Sequence, residues 1–227
     1  MRQSRDDWLV ALGFGLSLGV MNWAIYQSFA RIPLGVAVTI EFVGPLTLAV
    51  VGSRRARDLV WALLAGLGVA LLGFEPGGLD LAGVAFALVA GAAWAAYILL
   101  SAQTGRRWPG LDGLAVASVV ATLLLAPFAV SAAGSGLLDP RILALGAAVG
   151  MLSSVIPYSL EMTALRTIRP ALFGILMSLE PAAAALAGVV VLQEFLTPVQ
   201  LLAMACVVVA SVGATRSNRV IREPAPD

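Results

Sequence analysis

The sequence contains no histidine and only one cysteine, Cys206, which lies inside an apolar run. Zinc sites and catalytic pairs of a thiol and an imidazole draw on these two residue types, and haem sites commonly do. A lone cysteine in an apolar run is typical of a small buried side chain. We therefore expect no metal, no cofactor and no enzymatic activity.

Charged residues are also scarce. They make up 12% of the 227 residues, and hydrophobic residues make up 60%, whereas soluble domains average about 25% and 45–50%. The net charge is +1, and no basic face accompanies it, so nucleic acid is not an expected partner. The composition predicts a membrane protein that is embedded in a lipid bilayer.

Long apolar runs occupy most of the remaining sequence. A helix that crosses a bilayer needs about 20 mostly apolar residues, so the chain is divided at its charges, prolines and glycine clusters. Eight helices are predicted, at 8–29, 33–51, 59–74, 81–102, 114–132, 142–165, 170–192 and 199–215. The predicted fold is all-α, a polytopic bundle of about eight transmembrane helices. The first run is too long for a signal-peptide core, so we expect it to be retained.

The basic residues, which are all arginine, indicate the orientation. Twelve fall on the side of the N-terminus, and only Arg31 and Arg141 fall on the other side. Positively charged loops remain cytoplasmic, so both termini are predicted to be cytoplasmic. The twelve are Arg2, Arg5, Arg54, Arg55, Arg57, Arg106, Arg107, Arg166, Arg169, Arg216, Arg219 and Arg222.

The second half of the sequence repeats features of the first. Residues 23–31 align with 158–166 at an offset of 135, and residues 44–45 align with 180–181 at an offset of 136. The first predicted helix runs outward and its partner, the sixth, runs inward. Inverted repeats of this kind are typical of secondary transporters, whose sites lie near the bilayer midplane at the repeat interface.

The two repeats are unequal in length. The first, 1–75, holds three predicted helices and the second, 76–215, holds five, while 216–227 is predicted to be a disordered cytoplasmic tail. The three helices match the last three of the five, so the first repeat is expected to lack two helices. We expect a chain of this kind to be less stable, or to form a homodimer that covers the gap.

Four segments carry a family resemblance: SLGVMNWAIYQSFARIPLGVAVTIEFVGPL (17–46), GAAWAAYIL (91–99), PYSLEMTALR (157–166) and FGILMSLEPAAAALAGVVVLQEFLTPVQLLA (173–203). They resemble the EamA-type drug/metabolite transporters, and more narrowly the bacterial inner-membrane exporters of threonine and homoserine. The resemblance implies ten helices in two inverted repeats, of which this sequence would begin at the third. It also implies proton-driven efflux of small neutral amino acids across the inner membrane.

Two carboxylates, Glu41 and Glu180, lie near the middle of the second and seventh predicted helices. A carboxylate at the bilayer centre costs on the order of 2.5–3.5 kcal/mol on insertion scales, so it usually handles ions or substrate, or is paired. Both are expected at similar depth, as in a shared midplane site for a proton or an ammonium group. The alternative is that each is a buried neutral acid with a structural hydrogen bond.

Each of these carboxylates is accompanied by a proline. Pro45 cannot donate to the carbonyl of Glu41, and Pro181 cannot donate to the carbonyl of Met177. The freed carbonyls would suit an ammonium group or a proton. The alternative is that the prolines only kink their helices while neighbouring side chains satisfy the carbonyls.

A third carboxylate, Glu161, lies about one turn from the cytoplasmic end of the sixth predicted helix, near Arg166 and Arg169. Ser154, Tyr158 and Glu161 share a face at i, i+4 and i+7 spacing, which indicates a polar stripe away from lipid. Substrate handling and an ion pair with the arginines are both open for Glu161.

Polar and aromatic residues of two other helices complete the candidate site. Asn22 and Tyr26 on the first predicted helix are donors for a substrate carboxylate, or alternatively form an interhelical hydrogen bond. Trp94 and Tyr97 on the fourth are expected to line the cavity, although Tyr97 would equally suit packing. The site residues are therefore predicted on five different helices.

Two functions remain open at this stage. The intramembrane carboxylates favour a proton-coupled exporter of small solutes. The shortened first repeat favours a membrane protein that does not transport, either a remnant of an exporter or an assembly partner. An intramembrane enzyme is disfavoured, because the residues of a rhomboid-type or paired-aspartate site are lacking.

Overall fold

A computed structural model describes residues 3–53, 59–72, 78–167 and 177–219. The helices of these residues are α1 (Arg5–Phe29), α2 (Leu34–Glu41), α3 (Val43–Ser53), α4 (Leu59–Leu72), α5 (Leu81–Arg107), α6 (Asp112–Ala133), α7 (Pro140–Gly150), α8 (Ile156–Thr167), α9 (Glu180–Ala187) and α10 (Pro198–Arg219). A 3₁₀ turn, Gly134–Leu138, follows α6, and single turns of π-helix, Met151–Val155 and Gly188–Leu192, follow α7 and α9. Over the ranges described, the chain contains no strand.

The all-helical membrane fold is confirmed. Among the described residues, five helical spans are long and apolar enough to cross a membrane: Arg5–Phe29, Leu81–Arg107, Asp112–Leu138, Pro140–Glu161 and Pro198–Arg216. Three shorter apolar helical segments are Leu34–Leu48, Leu59–Leu71 and Glu180–Leu192. Each of these falls on one of the eight predicted helices. The beginning of the seventh, up to residue 176, lies outside the described residues.

The second predicted helix is divided in two at Phe42. The cause lies three residues further on, where Pro45 has no N–H to donate to the carbonyl of Glu41. Phe42 itself stays helical, with φ −63° and ψ −16°, and its N–H donates to the carbonyl of Val38 at 3.0 Å. The chain therefore continues in the same direction while one carbonyl loses its usual helical donor.

The sixth predicted helix contains the π-helical turn Met151–Val155 between α7 and α8. Pro157 follows directly and cannot donate to the carbonyl of Ser153. A π turn accommodates such a lost bond by adding one residue to the helical turn.

At the C-terminus, α10 runs to Arg219, so its last residues extend into the segment that was predicted to be disordered. Residues 220–227 lie outside the described part of the chain.

Two compact units are present, and the first comprises the described residues of Met1–Gly19 and Leu100–Phe173. Asp7 and Arg107 form an ion pair at 3.3 Å, and the rings of Trp8 and Trp108 pack edge to face at 5.1 Å. Next to them, the backbone of α1 at Gly15 lies against α6, because a Cβ there would be 2.6 Å from the Ala117 carbonyl oxygen. These contacts hold the two chain segments of the first unit together.

The second compact unit comprises the described residues of Val20–Leu99 and Gly174–Asp227. Helices α4 and α10 pack closely along small residues, since a Cβ on Gly68 would be 2.7 Å from the Ala203 carbonyl oxygen. The main hydrophobic core of this unit is formed by Ala24, Ile25, Ile32, Val36, Ala37, Ile40, Ala87, Ala90 and Ala203. Most of these residues are small or β-branched, which lets helix backbones approach each other.

Candidate functional site

The side chain of Glu41 is buried at the C-terminal end of α2. This helix is short and fully enclosed, because every residue from Gly35 to Glu41 is buried, and Glu41 itself is 7% exposed. Its sequence, LGVAVTIE, is apolar except for Thr39 and Glu41. The hydroxyl of Thr39 donates to the carbonyl of Gly35 at 2.6 Å. Glu41 is therefore the one ionisable group of this enclosed helix.

Glu180 begins α9 in the same compact unit. It is half-buried, and the buried Pro181 follows it at the first turn of the helix, where a missing N–H costs nothing. Directly before it, Ser178 and Leu179 form a turn. The hydroxyl of Ser178 hydrogen-bonds that of Ser211 on α10 at 2.7 Å, and both residues are buried. The chain is thus interrupted where Glu180 begins its helix.

Helices α2 and α9 pack against each other and run antiparallel. Near the N-terminus of α2, Gly35 lies on Ala185, so that a Cβ on the glycine would be 2.9 Å from the alanine Cα, and Leu34 approaches Gly188 just beyond the end of α9. This antiparallel packing brings Glu41, the last residue of α2, toward Glu180, the first residue of α9, within range of electrostatic interaction. The packing therefore brings together the two carboxylates that the sequence places 139 positions apart.

Two like charges in a low-dielectric interior repel each other strongly. A cation bound between them, or a proton on one of them, removes that repulsion. A substrate ammonium group and a proton are therefore the ligands that this pair of carboxyl groups suits, and the two would compete for the same place.

Aromatic rings pack beside Glu41. The ring of Phe42 meets that of Trp94 on α5 edge to face at 5.5 Å, and Trp94 and Tyr97 are both buried. On the same helix, Gly91 faces the backbone of Glu41, and a Cβ there would lie 2.5 Å from the Glu41 carbonyl oxygen. The carbonyl that Pro45 frees is therefore covered by the backbone of α5.

Asn22 and Tyr26 belong to the second compact unit, on α1. Asn22 is half-buried, whereas Tyr26 is 49% exposed and packs its ring edge to face on Phe29 at 5.8 Å. Ser28, two residues after Tyr26, is buried and donates to the carbonyl of Gly83 on α5 at 2.9 Å. Residues two apart do not share a helix face, so α1 is fixed to α5 through a face other than that of the two predicted donors.

Ser154, Tyr158 and Glu161 lie in the first compact unit. All three are half-buried, while most of their neighbours on this helix are exposed, as expected for residues that share one face. Ser154 lies in the π turn, with its hydroxyl 3.5 Å from that of Ser153. The side chain of Arg166, and Arg169 altogether, lie outside the described residues, so the predicted ion pair stays a prediction.

The sequence did not single out Glu194 as more than an acidic loop residue. Its Oε2 accepts a hydrogen bond of 2.8 Å from the backbone N–H of Leu34, the first residue of α2. The preceding Gln193 has a left-handed backbone with φ 59°, and its side-chain amide donates to the carbonyls of Val189 and Val190. Because 160 positions separate Glu194 from Leu34, no local pattern could have predicted this cap.

Among the residues that the structure describes, no group of three or more histidine, cysteine, aspartate or glutamate side chains is placed to hold a metal ion. Two carboxylates in an apolar surrounding instead match the chemistry of a monovalent organic cation or a proton.

Comparison with known proteins places the chain among transporters. Residues 81–216 match the model of the EamA-like transporter family. The threonine/homoserine exporter RhtA of Salmonella typhimurium (strain LT2) is 44% identical over 227 residues, which cover 99% of this chain and 76% of the exporter. The exporter of the same name from Escherichia coli (strain K12) is 44% identical over 222 residues, or 96% and 75% of the two chains.

A more distant relative is the uncharacterized transporter YwfM of Bacillus subtilis (strain 168). It is 33% identical over 160 residues, which cover 68% of this chain and 53% of that protein. No solved structure matches the chain significantly.

Proposed function

Because the chain belongs to the EamA-like transporter family, we propose that it exports small neutral amino acids of the threonine and homoserine type in exchange for protons. Two curated relatives with 44% identity are named as exporters of these two amino acids. The relatives are transporters and not enzymes. We therefore propose threonine and homoserine as the substrates of this chain and the proton as its coupling ion.

The observation that carries this proposal is the pairing of Glu41 with Glu180 on two packed, antiparallel helices. In the proposed cycle the pair holds either the ammonium group of the amino acid or a proton, because each relieves the repulsion between the carboxylates. Competition between the two ligands couples the outward flux of the amino acid to the inward flux of protons.

The remaining site residues have separate parts in this proposal. Asn22 and Tyr26 donate hydrogen bonds to the substrate carboxylate, and Trp94 forms an apolar wall. Ser154, Tyr158 and Glu161, on the sixth predicted helix, guide the substrate from the cytoplasm. A neutral amino acid needs both kinds of polar partner, because it carries one charge of each sign.

The proposed location is the inner membrane of a bacterium, with both termini in the cytoplasm. Support comes from the distribution of arginine, twelve on one side against two on the other, and from the family. In this orientation Glu194 and the N-terminus of α2 lie toward the exterior.

Purified protein in liposomes tests the proposal. Vesicles that are loaded with labelled threonine and placed in a more acidic medium, so that protons flow inward, are expected to release threonine. A protonophore should abolish the flux, and unlabelled homoserine should compete, whereas glutamate, which carries a net negative charge, should not. Threonine flux that is indifferent to the protonophore would contradict proton coupling, and absence of flux would contradict transport by this chain.

A further inference from the structure

We infer that Gly91 is a positioning residue for Glu41: it seats the backbone of α5 on the carbonyl that Pro45 leaves without a helical donor, and so orients the carboxylate. This inference rests on the proposed function, in which Glu41 binds the substrate ammonium group.

The helix is broken at Phe42, between α2 and α3. In an unbroken helix the N–H of residue 45 would bond the carbonyl of residue 41, but residue 45 is proline and α2 ends at Glu41. A buried carbonyl without a partner costs on the order of 1–3 kcal/mol. Some other group must therefore face the carbonyl of Glu41.

The group that faces it is the Cα of Gly91. A Cβ on residue 91 would be 2.5 Å from the carbonyl oxygen of Glu41 and 3.3 Å from its carbonyl carbon. A Cβ on Gly44 would in turn collide with the carbonyl of Gly91. The two glycines thus allow direct backbone contact, in which a Cα–H of Gly91 points toward the freed carbonyl as a weak donor.

The same face of α5 also holds the next residue of the broken helix. Trp94 lies three positions after Gly91, so the two share a helix face, and the Trp94 ring packs on that of Phe42 at 5.5 Å. One short stretch of α5 therefore supports both the carbonyl of Glu41 and the ring of Phe42. Because the backbone of Glu41 is held at its carbonyl and at the following residue, its side chain is oriented by α5.

Gly91→Ala tests this arrangement. The added methyl group must push α5 away from Glu41, so we expect the KM for threonine to rise by about tenfold while the maximal rate per folded molecule changes little, the signature of lost substrate binding. Gly105→Ala is the matched control: it lies on the same helix, and nothing is within 4 Å of its added Cβ. An unchanged KM in Gly91→Ala would overturn the inference.

A double variant separates positioning from general packing. Pro45→Ala returns the N–H that bonds the carbonyl of Glu41, so adding Gly91→Ala to it should raise KM by much less than Gly91→Ala does in the native chain. Independent effects would simply multiply, and that result would overturn the inference. If Gly91→Ala does not accumulate, Trp94→Phe replaces it, since a smaller ring cannot collide. Because Trp94 also borders the substrate in the proposed function, the readout is then the labelling rate of Glu41 described below, which must change.

A readout without transport distinguishes this inference from the proposed function. Dicyclohexylcarbodiimide labels protonated carboxyl groups in apolar surroundings, and mass spectrometry reports the labelling rate at residue 41. Gly91→Ala should change that rate several-fold and Gly105→Ala should leave it as it is. If the native chain moves no threonine but the rate responds, the proposed function fails and the positioning role stands; if threonine moves but the rate and KM do not respond, only the positioning role fails.

Discussion

At the scale of the residue, two buried or half-buried carboxyl groups define the site. Glu41 closes one short helix and Glu180 opens another, and each has a proline close by in the sequence, Pro45 and Pro181. The prolines have different consequences. Pro45 breaks its helix and frees a carbonyl, whereas Pro181 occupies a first turn, where no donor is needed. A proline close to a glutamate therefore has a different structural effect at each of the two positions.

The carboxylate of Glu180 is expected to be essential for coupled transport. Glu180→Gln keeps the shape of the side chain but can neither bind an ammonium group as an anion nor change its charge, so threonine flux driven by a proton gradient should be lost. The threonine flux of liposomes that contain equal amounts of folded native or variant protein measures this loss. Asp112→Asn, which changes an exposed carboxylate at the start of α6, serves as the control and should transport normally.

Glu41→Gln should show the same loss. Near-normal flux from either glutamine variant would assign that glutamate to structure. Exchange of threonine across the membrane without a proton gradient is the more informative second assay, because a residue that serves only the proton would leave exchange intact.

At the scale of the element, α2 is held at both ends by residues distant in sequence. The carboxylate of Glu194 accepts from the N–H of Leu34 at the N-terminus, and the backbone of Gly91 covers the carbonyl of Glu41 at the C-terminus. A helix of eight residues is too short to be stable alone. Its position is therefore decided by these contacts and by its packing on α9.

Loss of the Glu194 cap should destabilise the protein. Glu194→Ala leaves the N–H of Leu34 without its acceptor, and we expect a cost of about 1 kcal/mol, as for other helix caps. Glu194→Gln retains a carbonyl oxygen that accepts the same bond and should lie between the native protein and the alanine variant. Thermal unfolding in detergent compares the three. Equal stability of the alanine variant and the native chain would show that the cap contributes nothing.

A reversible covalent link between α2 and the π turn after α9 should stop transport. A Cβ on Gly188 would be 3.7 Å from the Cβ of Leu34, within the usual range of about 3.5–4.5 Å for a disulfide. In a background with Cys206→Ser, Leu34→Cys combined with Gly188→Cys should therefore cross-link on oxidation. Alternating access requires helices around the site to separate on one side at a time, so we expect oxidation to block flux.

Reduction should then restore the flux, and each single cysteine variant should be unaffected by oxidant. Gly188→Ala controls for the space that the new side chain takes. Undiminished flux from fully cross-linked protein would mean that these two elements stay together throughout the cycle.

At the scale of the whole molecule, an all-helical chain with eight apolar segments accounts for the family match and for the distribution of charge. Lipid offers no partners to backbone polar groups, so each crossing must satisfy its hydrogen bonds internally, which helices do. Eight crossings would place the two ends of the chain on the same side. The side is then proposed from the arginines.

Reporter fusions test this topology. A fusion after Gly105 and one after Ser217 should report the cytoplasm, because arginines cluster beside both positions. A fusion after Gly77, which lies between the third and fourth predicted helices, should report the exterior. A cytoplasmic signal at Gly77 would overturn the number of crossings that precede it.

Hydrophobicity and sequence motifs alone predicted the membrane class, the eight helical segments and the family, and all three are confirmed. These properties follow from hydrophobicity summed over about 20 residues and from backbone hydrogen bonding within each segment, both of which are local. The sequence also indicated a freed carbonyl at Glu41 or a kink beside it, since the effect of Pro45 reaches only four residues back.

The contacts between residues of different helices become visible only in the folded chain. The pairing of Glu41 with Glu180, the cap of Glu194 on Leu34 and the seat of Glu41 on Gly91 each join residues of different helices. Such contacts depend on which faces of the helices pack and at what height. In a chain rich in alanine, glycine and leucine, many helix faces are alike. The faces that pack are those on which particular glycines let two backbones approach closely. These contacts join distant residues, so no local sequence pattern predicts them.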